Sequence, residues 1–256
     1  MKKYYPLLIA ILSLTMTLQG QDEQDLAEQI KALLFMEEQE IDLEDTKATA
    51  WVFPIYRDIE AALDDLKDYC KERSDVKMKK GGENVLIGER VSIPSIAAKR
   101  GDLIGYAFIT ENYYGMAMAF QLGYDISVSS AEWELEMKNL RNYAKEYMSY
   151  HFERSFSRKI KDLEKDIKDL EKDMKQTENK INSQNNKIDN LHKKIAKETD
   201  EIKIEDHNTE IAAIQSEINT LAATLPPMQE QENKLRETMS SIKTESHTYL
   251  SAIGSI

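Results

Sequence analysis

Hydrophobic residues in the second half of the chain recur with a period of seven. From about Phe156 the first and fourth positions of each heptad carry mostly Ile, Leu or Met, and a tandem repeat, KDLEKDI then KDLEKDM, covers Lys161 to Met174. A second run with its own phase extends from Ile211 to Ile253. Sustained heptads with charged flanking positions predict coiled-coil helices. The predicted core residues are Ile160, Leu163, Ile167, Leu170, Met174, Ile181, Ile188, Leu191, Ile195, Ile202, Ile211, Ile214, Ile218, Leu221, Leu225, Leu235, Met239 and Ile242.

The two runs are predicted to form an antiparallel hairpin over residues 155–256. They are equal in length, and the step of nine residues from Ile202 to Ile211 interrupts the heptad phase. The turn is expected near residues 205–209 (EDHNT), because Asp and Asn are typical turn residues. The pairs that this register places together include Gln184 with Glu232, Glu171 with Lys243, and Glu178 with Arg236. The two opposite-charge pairs favour the hairpin, while a parallel homodimer and a longer trimer stay open.

A hinge is predicted part-way along the hairpin. Pro226 and Pro227 lie in the returning run, and proline lacks the backbone donor of a straight helix. The stretch Asn182–Lys187 on the outgoing run is poor in helix-forming residues. Because the predicted register puts both stretches at nearly the same height, we expect the hinge at Gln184, Pro226 and Pro227.

Residues 46–154 have a different pattern, which predicts a small α+β domain. An amphipathic helix is expected from about Arg57 to Arg73, and Ser129-Ser130 is expected to cap a second helix. Alternating apolar residues predict strands at Lys47–Phe53, Val76–Lys80, Asn84–Ile93, Asp102–Thr110, Met116–Leu122 and Tyr124–Val128. With the last two counted as one bent strand, the order is β-α-β4-α. The fold class is therefore α+β, an antiparallel sheet with helices on one face followed by the coiled-coil hairpin.

Two of the predicted strands alternate small with large residues. Gly105 and Ala107 oppose Tyr106 and Phe108, while Ala117 and Ala119 oppose Met118 and Phe120. A face of small residues would let helices pack closely. A face of large aromatic residues must be covered or bind something.

The first 45 residues predict an export signal and an acidic helix. Lys2 and Lys3 precede a short apolar stretch, and Gly20 offers a small residue for cleavage, so residues 1–20 resemble a signal peptide. Residues 21–45 are predicted to form an acidic amphipathic helix. The apolar stretch is too short for a comfortable membrane span, so no integral membrane segment is expected after cleavage. A lipoprotein is excluded because the only cysteine, Cys70, is far from the cleavage position.

Charge argues against nucleic acid as a partner. The 256 residues include 34 Lys and Arg against 46 Asp and Glu, a formal net charge of −12, which phosphate backbones repel. Gly and Pro are scarce, at 9 and 5 residues, as in proteins with long helices.

The sequence predicts no catalytic, cofactor-binding or metal-binding residues. The four histidines, expected on the surface, lack metal-ligand spacing: His151, His192, His207 and His247. Cys70 falls on the apolar stripe of a predicted helix and is expected to be buried. The tripeptide Arg100-Gly101-Asp102, which some integrins recognise, is expected in a loop. A chance occurrence is the favoured interpretation, because tripeptides recur often by chance.

Two functions are compatible with this organisation. The favoured one is an exported structural or protein-interaction protein of the cell envelope, periplasmic or extracellular, that uses its coiled coil as a spacer or binding surface. It would act with a protein partner or by self-association. The alternative is a small-ligand-binding module or enzyme that uses the aromatic face of the 46–154 domain.

Overall fold

A computed structural model describes residues 28–256 except 29, 31, 44–45, 57 and 124–125. The predicted signal peptide and the first part of the predicted acidic helix lie outside the described residues. The described residues include seven strands and three helices of 16 or more residues, in this order: β1 (Glu37–Leu43), β2 (Thr46–Pro54), α1 (Ile59–Ser74), β3 (Lys79–Gly82), β4 (Val85–Val91), β5 (Gly101–Ile109), β6 (Tyr114–Gly123), β7 (Ile126–Ser127), α2 (Glu134–Ile195) and α3 (Glu201–Ser255). The α+β class predicted from the sequence is confirmed.

The strands form one antiparallel sheet with the order β1-β2-β6-β5-β4-β3, and β7 pairs with β6. The four strands predicted after α1 are present at β3 to β6, while β7 is separate from β6. The sequence missed β1, because Glu37–Leu43 was expected to be helical. Glutamate is a good helix former, but Ile41 and Leu43 alternate along β1 and pack on the sheet beside β2. Tertiary packing therefore overrides the local preference.

Helix α1 begins and ends at aspartates. The side chain of Asp58 accepts hydrogen bonds from the backbone N–H groups of Glu60 and Ala61, as N-caps do. At the other end Asp75 adopts a left-handed conformation (φ 52°), and its N–H bonds to the last turn. Both ends of the helix are thus satisfied locally.

The helices pack on one face of the sheet, where Gly105 permits a close approach. A Cβ atom at Gly105 would lie 2.2 Å from Cδ2 of Leu66 on α1, so no larger residue fits there without movement. From α2, the ring of Tyr147 meets Phe53 edge to face at 6.0 Å. The expectation that Gly105 lets a helix pack closely is confirmed.

The two faces of the sheet are mixed, and are not divided into a small-residue face and an aromatic face. In the β5–β6 register Tyr106 is paired with Ala117, and Gly105 with Met118. Paired residues point to the same side of an antiparallel sheet. The face away from the helices therefore combines the buried alanines of β2 and β6 with the half-buried rings of Tyr106 and Phe108.

The chain divides into two compact units. The sheet unit contains the described residues up to Arg158 together with Lys243–Ile256, and the hairpin unit contains Lys159–Ile242. Both ends of the coiled-coil region therefore belong to the sheet unit. In that unit Tyr249 of α3 stacks on Phe152 of α2, with ring centroids 5.1 Å apart.

Candidate functional site

The hairpin unit is held together by one stripe of aliphatic residues on each helix. Its best-buried cluster joins Ile188 and Leu191 of α2 to Ile214 and Ile218 of α3. The structure leaves many of the predicted core residues half-buried, since two helices cover only part of each other's surface. Six are buried: Ile167, Ile188, Leu191, Ile214, Ile218 and Ile242. The half-buried ones are Ile160, Leu163, Leu170, Met174, Ile181, Ile195, Ile211, Leu221, Leu225, Leu235 and Met239.

The turn of the hairpin lies at residues 196–200, so the expected position near residues 205–209 is wrong. Asp200 caps α3 by accepting the backbone N–H of Ile202 at 3.0 Å. Residues 205–209 are helical. Ile202, predicted as a core residue, lies in the first turn of α3 and is 73% exposed. The sequence did contain a signal for the observed turn. Lys193 and Lys194 favour a helix C-terminus just before it, and Glu201 favours a helix N-terminus just after it.

The register of the hairpin is shifted from the prediction by about one to two heptads. Ile188 was expected opposite Met228, but it packs with Ile214. Gln184 was expected opposite Glu232, but its side-chain amide donates to Glu217 at 2.5 Å. The heptad phase is the same in both registers, so the apolar pattern alone does not distinguish them. The earlier turn position fixes the observed register.

The predicted charge pairs change with the register. Arg236 contacts Glu171 at 2.5 Å, and not Glu178 as expected. Arg236 also donates to Glu232 of its own helix at 2.7 Å. Glu232 is only 8% exposed and accepts a further bond from Gln229 at 3.0 Å. A buried, hydrogen-bonded carboxylate in the apolar stripe is a device that can specify register in coiled coils.

The residues of the predicted hinge do not lie at one height. Pro226 and Pro227 are inside α3, which continues to Ser255. Gln184 donates a hydrogen bond to Glu217, which lies about two and a half turns of helix before Pro226. The hinge stays a prediction. However, the stretch around Gln184 and the two prolines do not lie opposite each other, as the prediction had assumed.

A cluster of buried charge in the sheet unit joins α1 to α2. We call it the Asp65 cluster: Asp65 with His151, Arg154 and Arg158. The carboxylate of Asp65 accepts from Nδ1 of His151 at 2.8 Å and from Nε of Arg154 at 3.0 Å, and it also accepts from both terminal nitrogens, Nη1 and Nη2, of Arg158. Asp65 and His151 are fully buried, whereas the two arginines are partly exposed.

The hydrogen bonds of His151 define its state. Its Nε2 accepts the backbone N–H of Tyr56 at 3.2 Å, so the proton of the neutral ring is on Nδ1 and points to Asp65. The ring stacks on Tyr147, at an interplanar angle of 17°. Neither ring nitrogen is free to exchange a proton with a substrate. The cluster contains residue types that are common in catalytic sites, but the hydrogen bonds of His151 are made within the protein, and the one to Asp65 joins α2 to α1.

Electrostatics in the cluster favour ionised Asp65. Burial alone raises the pKa of the Asp65 carboxyl, but the hydrogen bonds from His151 and Arg158 and the positive charge of Arg158 outweigh it, so its pKa is lowered. Burial and the neighbouring Asp65 charge raise the pKa of Tyr147 well above its ordinary value. Tyr147 therefore stays protonated and donates to the carbonyl of Ala62 at 2.7 Å.

The sequence pattern did not lead to the Asp65 cluster, and the expectation that His151 lies on the surface is wrong. The usable signal was spacing. Tyr147, His151, Arg154 and Arg158 recur at intervals of four, three and four, which places them on one face of a helix. Asp65 likewise lies beside Leu66 on the buried face of α1. An acid in an apolar stripe requires a buried partner.

Cys70 is buried, as expected. It is fully inaccessible, and burial raises the pKa of its thiol to about 12, an effect only partly offset by the Tyr143 hydroxyl. A protonated, inaccessible thiol is a poor nucleophile.

The remaining candidates do not assemble into a site. Arg100-Gly101-Asp102 does not lie in a free loop, because Gly101 begins β5 and Asp102 accepts the backbone N–H of Arg90 at 2.6 Å. In the described part of the chain no three potential metal ligands converge.

Comparisons of the chain with protein-family models, curated proteins and solved structures found no match. Among the described helices, none offers an apolar stretch of the length needed to cross a bilayer.

Proposed function

We propose that this is an exported, non-enzymatic protein of the cell envelope that binds another protein through its hairpin unit. About a third of the chain forms this unit. Its own core is a single narrow stripe, so most of its side chains face solvent. Such a segment contributes surface more than core, and surface is what a binding or spacing role requires.

The observation that carries the proposal is a surface on α3 that is nearly free of charge. From Ala212 to Pro227 the only charged residue is Glu217, in a chain of which 31% is charged. The side chains of this stretch that face away from the stripe are exposed, including Thr220 and Ala223. Depletion of charge is typical of the core of protein–protein interfaces. The partner is therefore expected to contact α3 along this stretch.

Photo-crosslinking in cells tests the proposal. A photoreactive residue at Thr220 or Ala223 should give one discrete adduct with another protein. The matched control is Lys172, which is also exposed but lies in the charged part of α2. No adduct at Thr220 and Ala223, or the same adducts at Lys172, would contradict binding through this surface.

Export is tested separately. Cleavage of a signal peptide predicts a mature N-terminus at Gln21 and recovery of the protein outside the cytoplasm. Amino-terminal sequencing of the purified protein reads this directly. An intact Met1 in a cytoplasmic fraction would contradict export without bearing on the hairpin surface.

A further inference from the structure

The two edges of the sheet carry opposite charges. β1 is the edge strand at one side. Its charged residues are all acidic and exposed: Glu37, Glu38, Glu40 and Asp42. β3 is the edge strand at the other side and reads KKGG, with Lys77 two residues before it. Among the described residues each edge strand pairs with a neighbour on one side only.

Part of this charge is neutralised within the chain. Lys47 of β2 contacts Glu40 at 2.8 Å and Asp42 at 3.5 Å. Lys79 contacts Glu89 of β4 at 3.2 Å. These pairs cover the end of β1 and the start of β3.

The rest of the charge has no ionic partner among the described residues. Glu37 accepts only the side-chain amide of Gln39, and Glu38 accepts the backbone N–H of Ser130. In the described part of the chain no ion pair involves Lys77 or Lys80, and both side chains are exposed. Within the described residues, one edge thus presents two carboxylates without an ionic partner, and the other presents two ammonium groups without one.

We propose that a second copy of this chain joins the sheet edge to edge, with β1 of one copy against β3 of the next. Unpaired strand edges are templates for pairing, and charged edge residues normally prevent it. Here charge prevents only the like pairings: β1 against β1 opposes carboxylates, and β3 against β3 opposes lysines. The unlike pairing brings Glu37 and Glu38 towards Lys77 and Lys80.

The contact is heterologous, because it uses two different surfaces of the same chain. Each added copy therefore leaves one acidic and one basic edge free. Such contacts produce rings when the rotation closes, and open chains when it does not. This self-association uses the sheet unit alone and does not depend on partner binding by the hairpin unit.

Charge reversal tests the proposal with the purified whole protein. K77E/K80E reverses the two lysines of the β3 edge that lack an ionic partner among the described residues. E37K/E38K reverses the two such carboxylates of β1, where Glu40 and Asp42 stay paired with Lys47. In sedimentation velocity the mean mass of the wild type should rise with protein concentration and fall with added salt. Each variant alone should associate at least about tenfold more weakly, because two favourable contacts become repulsive.

Mixing the two variants gives the decisive measurement. An equimolar mixture should regain association, because the reversed residues of each variant meet residues of opposite charge on the other. K168E/K172E, which makes the same charge change at exposed positions of α2, should associate like the wild type. Circular dichroism should show all variants folded.

Three results would overturn the proposal. The first is a wild type that stays monomeric at every concentration. The second is a charge-reversal variant that associates as strongly as the wild type. The third is an equimolar mixture that stays monomeric. Unchanged association of both variants would assign self-association to another surface, such as a parallel pairing of hairpin units.

Discussion

Replacing Asp65 by Asn tests whether the Asp65 cluster holds the sheet unit together. Asparagine has nearly the same shape but replaces one acceptor oxygen with a donor amide. Four nitrogens from His151, Arg154 and Arg158 point at the carboxylate, so the new amide faces another donor. The substitution therefore removes the only negative charge in the cluster and leaves at least one donor unpaired.

The expected loss of unfolding free energy is about 3 kcal/mol. Breaking a buried ion pair by removing one partner costs about 3–5 kcal/mol. The lower end of this range applies because the side chains of Arg154 and Arg158 are 36% and 44% exposed. Water can therefore hydrate both guanidinium groups when the charge of Asp65 is removed. His151 is fully buried and does not gain water in this way.

Urea denaturation followed by tryptophan fluorescence measures this loss. The protein has two tryptophans, Trp51 and Trp133, and both belong to the sheet unit. Fluorescence therefore follows that unit without a contribution from unfolding of the hairpin unit. The matched control is Asp64→Asn, at an exposed neighbour paired only with Lys67, which should cost less than about 0.5 kcal/mol. An Asp65→Asn protein within about 0.5 kcal/mol of the wild type would refute the reasoning.

The same variant predicts a pH dependence. The pKa of Asp65 is lowered in the folded protein. Its stabilisation is therefore fully present above the unfolded-state pKa of about 3.9, and is lost as pH falls from there through the folded pKa. The difference in stability between wild type and Asp65→Asn should be constant above about pH 5 and should narrow below about pH 4. A difference that grows on acidification would contradict the assignment of an ionised Asp65.

Three further predictions follow from packing. Gly105→Ala should destabilise the sheet unit by about 1–3 kcal/mol in the same urea assay, since its Cβ would lie 2.2 Å from a leucine methyl of α1. Gly123→Ala, with no atom within 4 Å, should be nearly neutral. In the hairpin unit Ile188→Ala should cost about 2–4 kcal/mol by circular dichroism, whereas Ile202→Ala should cost less than about 0.5 kcal/mol; equal costs would restore the turn near residues 205–209. Cys70 should react with a thiol reagent only as fast as the sheet unit opens, and rapid labelling of the native protein would contradict its burial.

Several parts of this fold could be predicted from the sequence because they depend on local pattern. Alternation and turn residues were sufficient for β2 to β6 and for α1, and the heptads were sufficient for two long helices. β1 could not be predicted, because its glutamates favour helix locally and its strand state depends on pairing with β2. The mixed faces of the sheet likewise depend on register: Tyr106 lies beside Ala117 only because β5 and β6 pair as they do.

The candidate sites were less predictable for the same physical reason. Whether His151 is a surface residue or a buried partner depends on which helix face meets α1, and no single-helix pattern specifies that. The hairpin is the clearest case. The sequence by itself determined the heptad phase, because the apolar stripe must lie on one side of each helix. Only the tertiary structure decided the register. Registers that differ by whole heptads bury the same apolar stripe, and the position of the turn at residues 196–200 selects one of them.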